Sequence, residues 1–185
     1  MNQGTTETFT APDKMSAGMR RNGVMICAFF GLGWYVGGAG VLPAGAYWVG
    51  LGLAAAVSIA LVVAVYRVGS GRERPRELPK DWGRRYGIWV GVEVVLIVAA
   101  VVLANRFDLV DFLPGTIAVI VGLHFVPLAR AFDEPIYRWG GIAMTVAGLG
   151  GVAAAFGDGL VAGGIAGIGS ALVLWATGFA VLKRG

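Results

Sequence analysis

Two ionisable residues stand inside long apolar stretches, and their chemistry makes them the first candidates for a functional site. Glu93 interrupts the stretch Trp89–Ala104, and His124, the single histidine, interrupts Ile117–Leu128. An ionisable side chain is costly inside a lipid bilayer, so each one calls for a functional explanation. A carboxyl group and an imidazole together can hold a proton and pass it on with a modest driving force.

The spacing of these two residues predicts that they lie at the same depth. A helix is expected to begin at Gly87, on the side of the membrane that carries most of the Lys and Arg residues (the basic side). Glu93 lies six residues further on, which is about 9 Å at 1.5 Å per residue. His124 precedes Ala131, where the next helix returns, by about 10 Å. Antiparallel neighbours would hold the two side chains level. Three interpretations follow: a proton relay, a hydrogen bond that fastens two helices, or a Glu93 that bonds elsewhere or reaches the interface through thinned bilayer.

Other residues at similar distances from the basic side could complete a polar pocket around this pair. Pro127 removes a backbone donor close to His124 and can kink its helix. Cys27 also fits a plain packing role, as a small buried side chain. The predicted pocket-lining residues are Cys27, Pro127, Thr145, Trp175 and Thr177.

Acidic residues in two short connections suggest a second feature on the other side. Asp108, Asp111 and Asp158 could form a shallow mouth that attracts cations, or they could be solvated turn and cap residues. No predicted helix carries a continuous polar stripe from this mouth to the Glu93–His124 level. That gap argues against an open channel.

The elements that must position these residues follow from composition. The chain has 185 residues, of which 57% are hydrophobic and 14% are charged. Soluble domains carry about 25% charged residues, so this composition favours a polytopic membrane protein. A bilayer core needs roughly 20 apolar helical residues, whereas barrel strands alternate apolar and polar residues, which these runs do not. The prediction is an all-α protein with six transmembrane helices arranged as three hairpins, near 22–42, 46–68, 87–107, 109–131, 136–156 and 160–182.

The remaining segments complete the predicted organisation. Residues 1–18 are polar and are expected to be disordered, and residues 19–185 form a single six-helix transmembrane domain. A long basic loop, Gly69–Tyr86, joins the second and third helices. Small residues at four-residue steps predict close helix contacts. These are Gly33 and Gly37, then Ala46, Gly50, Ala54 and Ser58, then Ala143, Ala147, Gly151 and Ala155, then Gly163, Gly167 and Ala171.

Positive charge predicts the orientation. Every one of the 15 Lys and Arg residues except Arg106 would fall on one side of a six-span arrangement. The positive-inside rule then predicts that both termini lie in the cytoplasm and that the protein lies in the bacterial inner membrane. The net charge of +4 indicates contact with anionic headgroups and not with nucleic acid. The loop Gly69–Tyr86 could also bind a cytoplasmic or membrane protein partner.

One short pattern carries a family resemblance. Residues Gly122–Ala129 read Gly-Leu-His-Phe-Val-Pro-Leu-Ala. In this pattern the chain resembles small six-span bacterial integral membrane proteins of uncharacterised families with the sequence Gly-Leu-His-Phe-x-Pro-Leu-Ala. The resemblance covers one helix and implies no activity.

Several chemistries are excluded by residue counts and spacing. One cysteine cannot form an internal disulfide, and one histidine cannot build a two-histidine haem or zinc site, so no metal or cofactor is expected. No glycine-rich loop has the lysine of a phosphate cradle. The leading hypothesis is a small bacterial membrane protein that acts as a proton-linked transporter, or as a transport accessory, for a small solute or cation. The alternatives are a non-transporting scaffold or sensor subunit of a larger complex, and a less favoured membrane-embedded lipid-modifying enzyme with Glu93 and His124 as acid and base.

Overall fold

The protein is all-helical over the residues that the computed structural model describes, which are 17–67, 80–132 and 134–183. Two short 3-10 turns occur between helices. Ala39–Val41 lies shortly before the second helix, and Val110–Phe112 lies immediately before the fourth. The α-helices in these ranges are α1 (Ala17–Gly38), α2 (Ala44–Arg67), α3 (Trp82–Arg106), α4 (Leu113–Ala131), α5 (Pro135–Ala154) and α6 (Gly159–Leu182).

Five of these helices are long and apolar enough to cross a membrane, namely α1, α2, α3, α4 and α6. The remaining helix, α5, has 20 residues, but it opens with the polar turn Tyr137–Trp139 and is rich in glycine. Both features lower its mean hydropathy. The fold therefore supports a helical membrane protein, while the count of six spans stays a prediction.

Local sequence explains where the helices begin. Asp158 caps α6, because its Oδ1 accepts hydrogen bonds from the amides of Leu160 (2.8 Å) and Val161 (3.2 Å). Glu134 caps α5 less closely, with Oε1 3.5 Å from the amide of Ile136. Pro135 occupies the first turn of α5, where a missing amide hydrogen costs nothing.

The start of α3 differs from the sequence-based boundary. The helix begins at Trp82, so residues 82–86, expected in the basic loop, form its first turns. Asp81 precedes it, and Arg85 donates from Nε to Asp81 Oδ2 over 2.6 Å. This hydrogen bond holds the pKa of the exposed Asp81 carboxyl below its usual range. Residues 69–79 of that loop, residue 68 before it and residues 1–16 of the N-terminal segment lie outside the described residues; 17 and 18 are helical.

The helices form an open arc. The most extensive packing joins α4 to α5, α1 to α6, and α5 to α6, and α4 also touches α6. Helix α2 packs on α1 and α6, whereas α3 packs mainly on α4. Helices α1 and α3 are therefore the two arms of the arc, and they face each other across a gap.

Glycines bring α4 and α5 into backbone contact. A Cβ added at Gly141 would lie 2.5 Å from the Gly122 carbonyl oxygen, and one at Gly122 would lie 2.8 Å from the Gly141 oxygen. Gly115 and Gly148 form a second reciprocal pair at 2.8 Å each way. Such approach is possible only without side chains, and it provides the packing that holds helices together in hydrocarbon.

Helix ends with positive charge meet at one end of the bundle, here called the basic end. Phe132, after α4, contacts Trp82 at the start of α3 (ring centroids 5.9 Å apart) and Tyr137 in α5 (6.1 Å). Arg21 of α1 lies over the ring of Tyr66 in α2, 5.5 Å from its centroid. The described cationic residues at this end are Arg20, Arg21, Arg67, Lys80, Arg84, Arg85, Arg130, Arg138 and Lys183.

The glycine contacts make a direct stability prediction. Gly141→Val should lower the free energy of unfolding by about 1–3 kcal/mol, because the Gly122 backbone on the facing helix cannot move aside. Gly52→Val is the matched control, since a Cβ at that α2 position meets no atom within 4 Å. Unfolding in detergent micelles, followed by circular dichroism, measures both. Equal stability of the two variants would contradict the close α4–α5 contact.

Candidate functional site

A groove of about 940 Å³ lies in the gap between α1 and α3. Helix α4 and part of α6 form its floor. It runs from Met19 and Trp82 at the basic end to Gly37 and Pro114 near the opposite end. At 1.5 Å per residue, the α1 stretch along it is about 27 Å long, close to the thickness of a bilayer core.

The structure brings Glu93 and His124 together inside this groove. His124 Nε2 lies 3.6 Å from Glu93 Oε2, and their side chains are 8% and 18% exposed. Both side chains line the groove. In this arrangement one proton can reside on the carboxyl group, which leaves both groups neutral, or on the imidazole, which gives an ion pair.

A single face of α3 presents Glu93 to the groove. The residues of α3 that line it include Tyr86, Val90, Glu93 and Ile97, which follow one another at steps of three or four. This is the period of one helix face. Glu93 is thus the acidic member of an otherwise apolar and aromatic stripe.

Aromatic side chains enclose the basic end of the groove. Trp82 and Tyr86 of α3 lie 5.9 and 5.8 Å from the ring of Phe132, measured between centroids. Tyr137 of α5 lies 6.1 Å from both Phe132 and Phe125. All five rings line the groove, and we call them the aromatic cluster. This cluster is not among the site residues predicted from the sequence, although the Tyr86–Glu93 spacing of two helical turns indicates that Tyr86 and Glu93 share a helix face.

Glycines leave open space on the α1 wall. Gly33 and Gly37 line the groove, as does Gly163 of α6, and a Cβ added at any of them would meet no atom within 4 Å. The four-residue step placed Gly33 and Gly37 in a helix contact. Instead α1 meets α6 through Gly38, whose added Cβ would lie 2.5 Å from the Gly167 Cα, and through Gly31, which abuts Trp175.

The other predicted pocket residues are distributed over several interfaces. Cys27 is buried and lines the groove. Thr145 lies against Gly122 at the α4–α5 contact and donates to the Gly141 carbonyl over 2.8 Å. Thr177 lies against Gly140 and donates to the Val173 carbonyl over 2.8 Å. These two hydroxyls are therefore satisfied within helix contacts.

Trp175 takes part in a separate buried network. Its Nε1 donates to Ser58 Oγ of α2 over 3.1 Å, and Ser58 Oγ donates to the Ala28 carbonyl of α1 over 3.0 Å. The network ties α6, α2 and α1 together away from the Glu93–His124 contact. Ser58, predicted from its four-residue spacing to lie at a helix contact, therefore also forms hydrogen bonds there.

Pro127 stands inside α4, which continues to Ala131. It has no amide hydrogen for the carbonyl of Leu123, the residue that precedes His124. The proline is partly buried and lies one turn beyond the histidine. It thus weakens the backbone ladder of α4 beside the candidate site.

The three acidic residues of the predicted outer mouth occupy different positions at the end opposite the basic end. Asp158 caps α6, and the Asp111 carboxylate packs against Gly159, the first residue of the same helix. Carboxylates at a helix N-terminus are favoured by its partial positive charge. Asp108 is exposed, with a left-handed φ of 56° in the α3–α4 turn. The structure brings Asp111 and Asp158 to one helix end; the cation-attracting role stays a prediction.

Two charged residues outside the predicted site are deeply buried at the basic end. Arg20 of α1 is 4% exposed, and Glu134, before α5, is 2% exposed. Glu134 follows Asp133 and lies between Arg130 and Arg138 in the chain, a charged surrounding that is typical of exposed positions. Burial of a single carboxylate beside such charges leaves no periodic signal in the sequence.

Comparisons with protein-family models, curated proteins and solved structures find no match to this chain. Within 17–67, 80–132 and 134–183, no three His, Cys, Asp or Glu side chains are grouped so as to hold a metal ion. The candidate site is therefore defined by its own geometry, with Glu93 and His124 at its centre.

The 3.6 Å contact predicts energetic coupling. In a double-mutant cycle, Glu93→Gln and His124→Ala should show an interaction of about 1 kcal/mol in the free energy of unfolding, the scale of polar contacts between membrane helices. Unfolding of the four proteins in mixed micelles measures it. Glu93→Gln combined with Thr145→Ala, on a different interface, should be additive. Additivity of the Glu93 and His124 variants would contradict the contact.

Proposed function

We propose that all six helices cross the bacterial inner membrane, and that the basic end and both termini lie in the cytoplasm. The charge distribution supports this orientation, because described Lys and Arg residues gather at the basic end and Arg106 lies at the other. The packing of α5 between α4 and α6 supports its inclusion as a span. Basic residues at this end would contact anionic lipid headgroups.

Cysteine labelling in intact cells tests this topology. In a Cys27→Ala background, single cysteines replace Phe107 and Phe156, which are 63% and 82% exposed, and Lys80 and Lys183, both exposed. A membrane-impermeant maleimide should label the first two and spare the second two until the cells are opened. If α5 does not cross, Lys183→Cys is labelled and Phe156→Cys is protected instead.

We further propose that the protein is a small proton-linked transporter, or a transport accessory, for a small solute or cation. The observation that carries the proposal is the Glu93–His124 contact inside a groove that extends along α1. A purely structural hydrogen bond would serve equally well in a closed helix interface. Here the pair faces a cavity large enough for a small molecule, so its protonation can respond to what enters.

The attachment of α3 supports a moving part. Gly83, Gly87 and Gly91 of α3 make no close backbone contact, since a Cβ added at each meets no atom within 4 Å. The helix packs mainly on α4, where the Glu93–His124 contact is located. A change in the charge of that pair would therefore act on the least tightly packed arm of the groove.

Reconstitution tests the transport proposal. Purified protein in liposomes that enclose a pH-sensitive dye should show proton movement when a transported solute or cation is added. Glu93→Gln and His124→Ala should reduce that movement by about 10²-fold, the scale on which a positioned proton-transfer group acts. Asp81→Asn removes an exposed carboxylate before the same helix and should leave the flux intact. Unchanged flux in the Glu93 and His124 variants would refute the relay.

A further inference from the structure

We propose that the groove binds a lipophilic cation, one positive charge carried on apolar or aromatic groups, and that this charge replaces a proton held by Glu93 and His124. The inference rests on the proposed proton-linked function and names its substrate class. Three independent features of the groove support it: its charge, its aromatic cluster and the open α1 wall.

Charge selects the sign of the ligand. Among the described residues that line the groove, Glu93 is the single carboxylate, and none is a lysine or an arginine. When the Glu93–His124 pair carries a proton it is neutral overall, and when that proton leaves the pair is negative. A negative charge in a largely apolar groove is costly unless a cation compensates it. A bound cation supplies that compensation.

The aromatic cluster selects the kind of cation. Trp82, Tyr86, Phe125, Phe132 and Tyr137 line the groove on the basic side of Glu93. Aromatic faces attract cations that are weakly hydrated, such as quaternary ammonium and phosphonium groups. A small inorganic ion would keep its water and gain little from these rings. The combination of one carboxylate with several rings therefore favours an organic cation.

The open α1 wall provides room for the apolar part. Gly33 and Gly37 present no side chains to a groove of about 940 Å³, which is within the range of sites for drug-sized ligands. The apolar groups of the ligand would lie against these glycines and against Val90 and Ile97 of α3. The gap between α1 and α3 gives such a molecule a lateral entrance.

Exchange of the two cations balances charge. One proton leaves the Glu93–His124 pair for water as one monovalent ligand cation enters, so the total charge in the groove is unchanged. The other titratable side chains that line it are Cys27 of α1, Tyr86 of α3 and Tyr137 of α5.

Equilibrium binding of tetraphenylphosphonium to the purified full-length protein in detergent micelles tests the proposal. Binding should be saturable and should release one proton per ligand into a weakly buffered solution with a pH indicator. Glu93→Gln should weaken binding by about tenfold or more and abolish proton release, as expected for loss of a partly desolvated charge partner. Asp81→Asn should bind like the unmodified protein.

A second pair of variants tests the location independently of Glu93. The Cβ of Gly33→Leu meets no atom within 4 Å and the rest of the side chain extends from the open α1 wall, so the variant should fold and yet reduce binding by about tenfold or more. Gly52→Leu adds the same side chain to open space on α2, outside the groove, and should bind normally. Normal binding by Gly33→Leu, or by Glu93→Gln, would overturn the proposal.

Two further outcomes separate this inference from the proposed function. Displacement of tetraphenylphosphonium by phosphatidylcholine, equally in the unmodified protein and in Glu93→Gln, would overturn the cation site and indicate an acyl-chain site. Because micelles have no compartments, binding with proton release would stand even if liposomes showed no transport. Conversely, Glu93-dependent flux of another solute without phosphonium binding would refute the cation site and leave the proposed function intact.

Discussion

Close approach of helix backbones at glycine is the constraint on which the rest of the structure depends. In hydrocarbon, apolar side chains gain little by leaving lipid for one another, so contact rests on packing. The pairs Gly122–Gly141 and Gly115–Gly148 join α4 to α5, and Gly38 joins α1 to α6. Among the described residues, no glycine of α3 makes such a contact. The groove opens where backbone contact ends, between α1 and α3.

This arrangement gives the Glu93–His124 contact an unusual share in holding α3. At the basic end, Trp82 and Tyr86 of α3 pack on Phe132, and a polar contact between α3 and α4 lies at the Glu93–His124 pair. The aromatic contacts and the ionisable contact both face the groove. A ligand that enters competes for the same rings and the same carboxylate that attach α3 to α4. Occupancy and the position of α3 are thereby linked without any additional element.

The sequence alone was enough to predict that Glu93 and His124 lie at the same depth, because α3 and α4 form a hairpin. Asp108 and Leu109 lie midway between the two residues along the chain, so antiparallel helices from this turn bring them together. An early start of α3 at Trp82 therefore does not disturb the pairing. The all-helical class followed equally directly from the long apolar runs. The direction in which Trp175, Thr145 and Thr177 point could not be predicted, because it depends on rotation of each helix against its neighbours.

Helix α1 shows why the face of a helix that makes a contact cannot be predicted without knowing the neighbouring helix. Gly31 and Gly38 lie seven residues apart and so differ by only about 20° around the helix axis, whereas Gly33 and Gly37 lie roughly 100–160° away from them. The four-residue step is the closer spacing and predicts a contact at Gly33 and Gly37. Trp175 and Gly167 of α6 fit the other face, where Trp175 covers Gly31 and Gly167 meets Gly38. A helix with glycine on two faces can give only one of them to this neighbour, and the second face, left smooth and unfilled, becomes the wall of the groove.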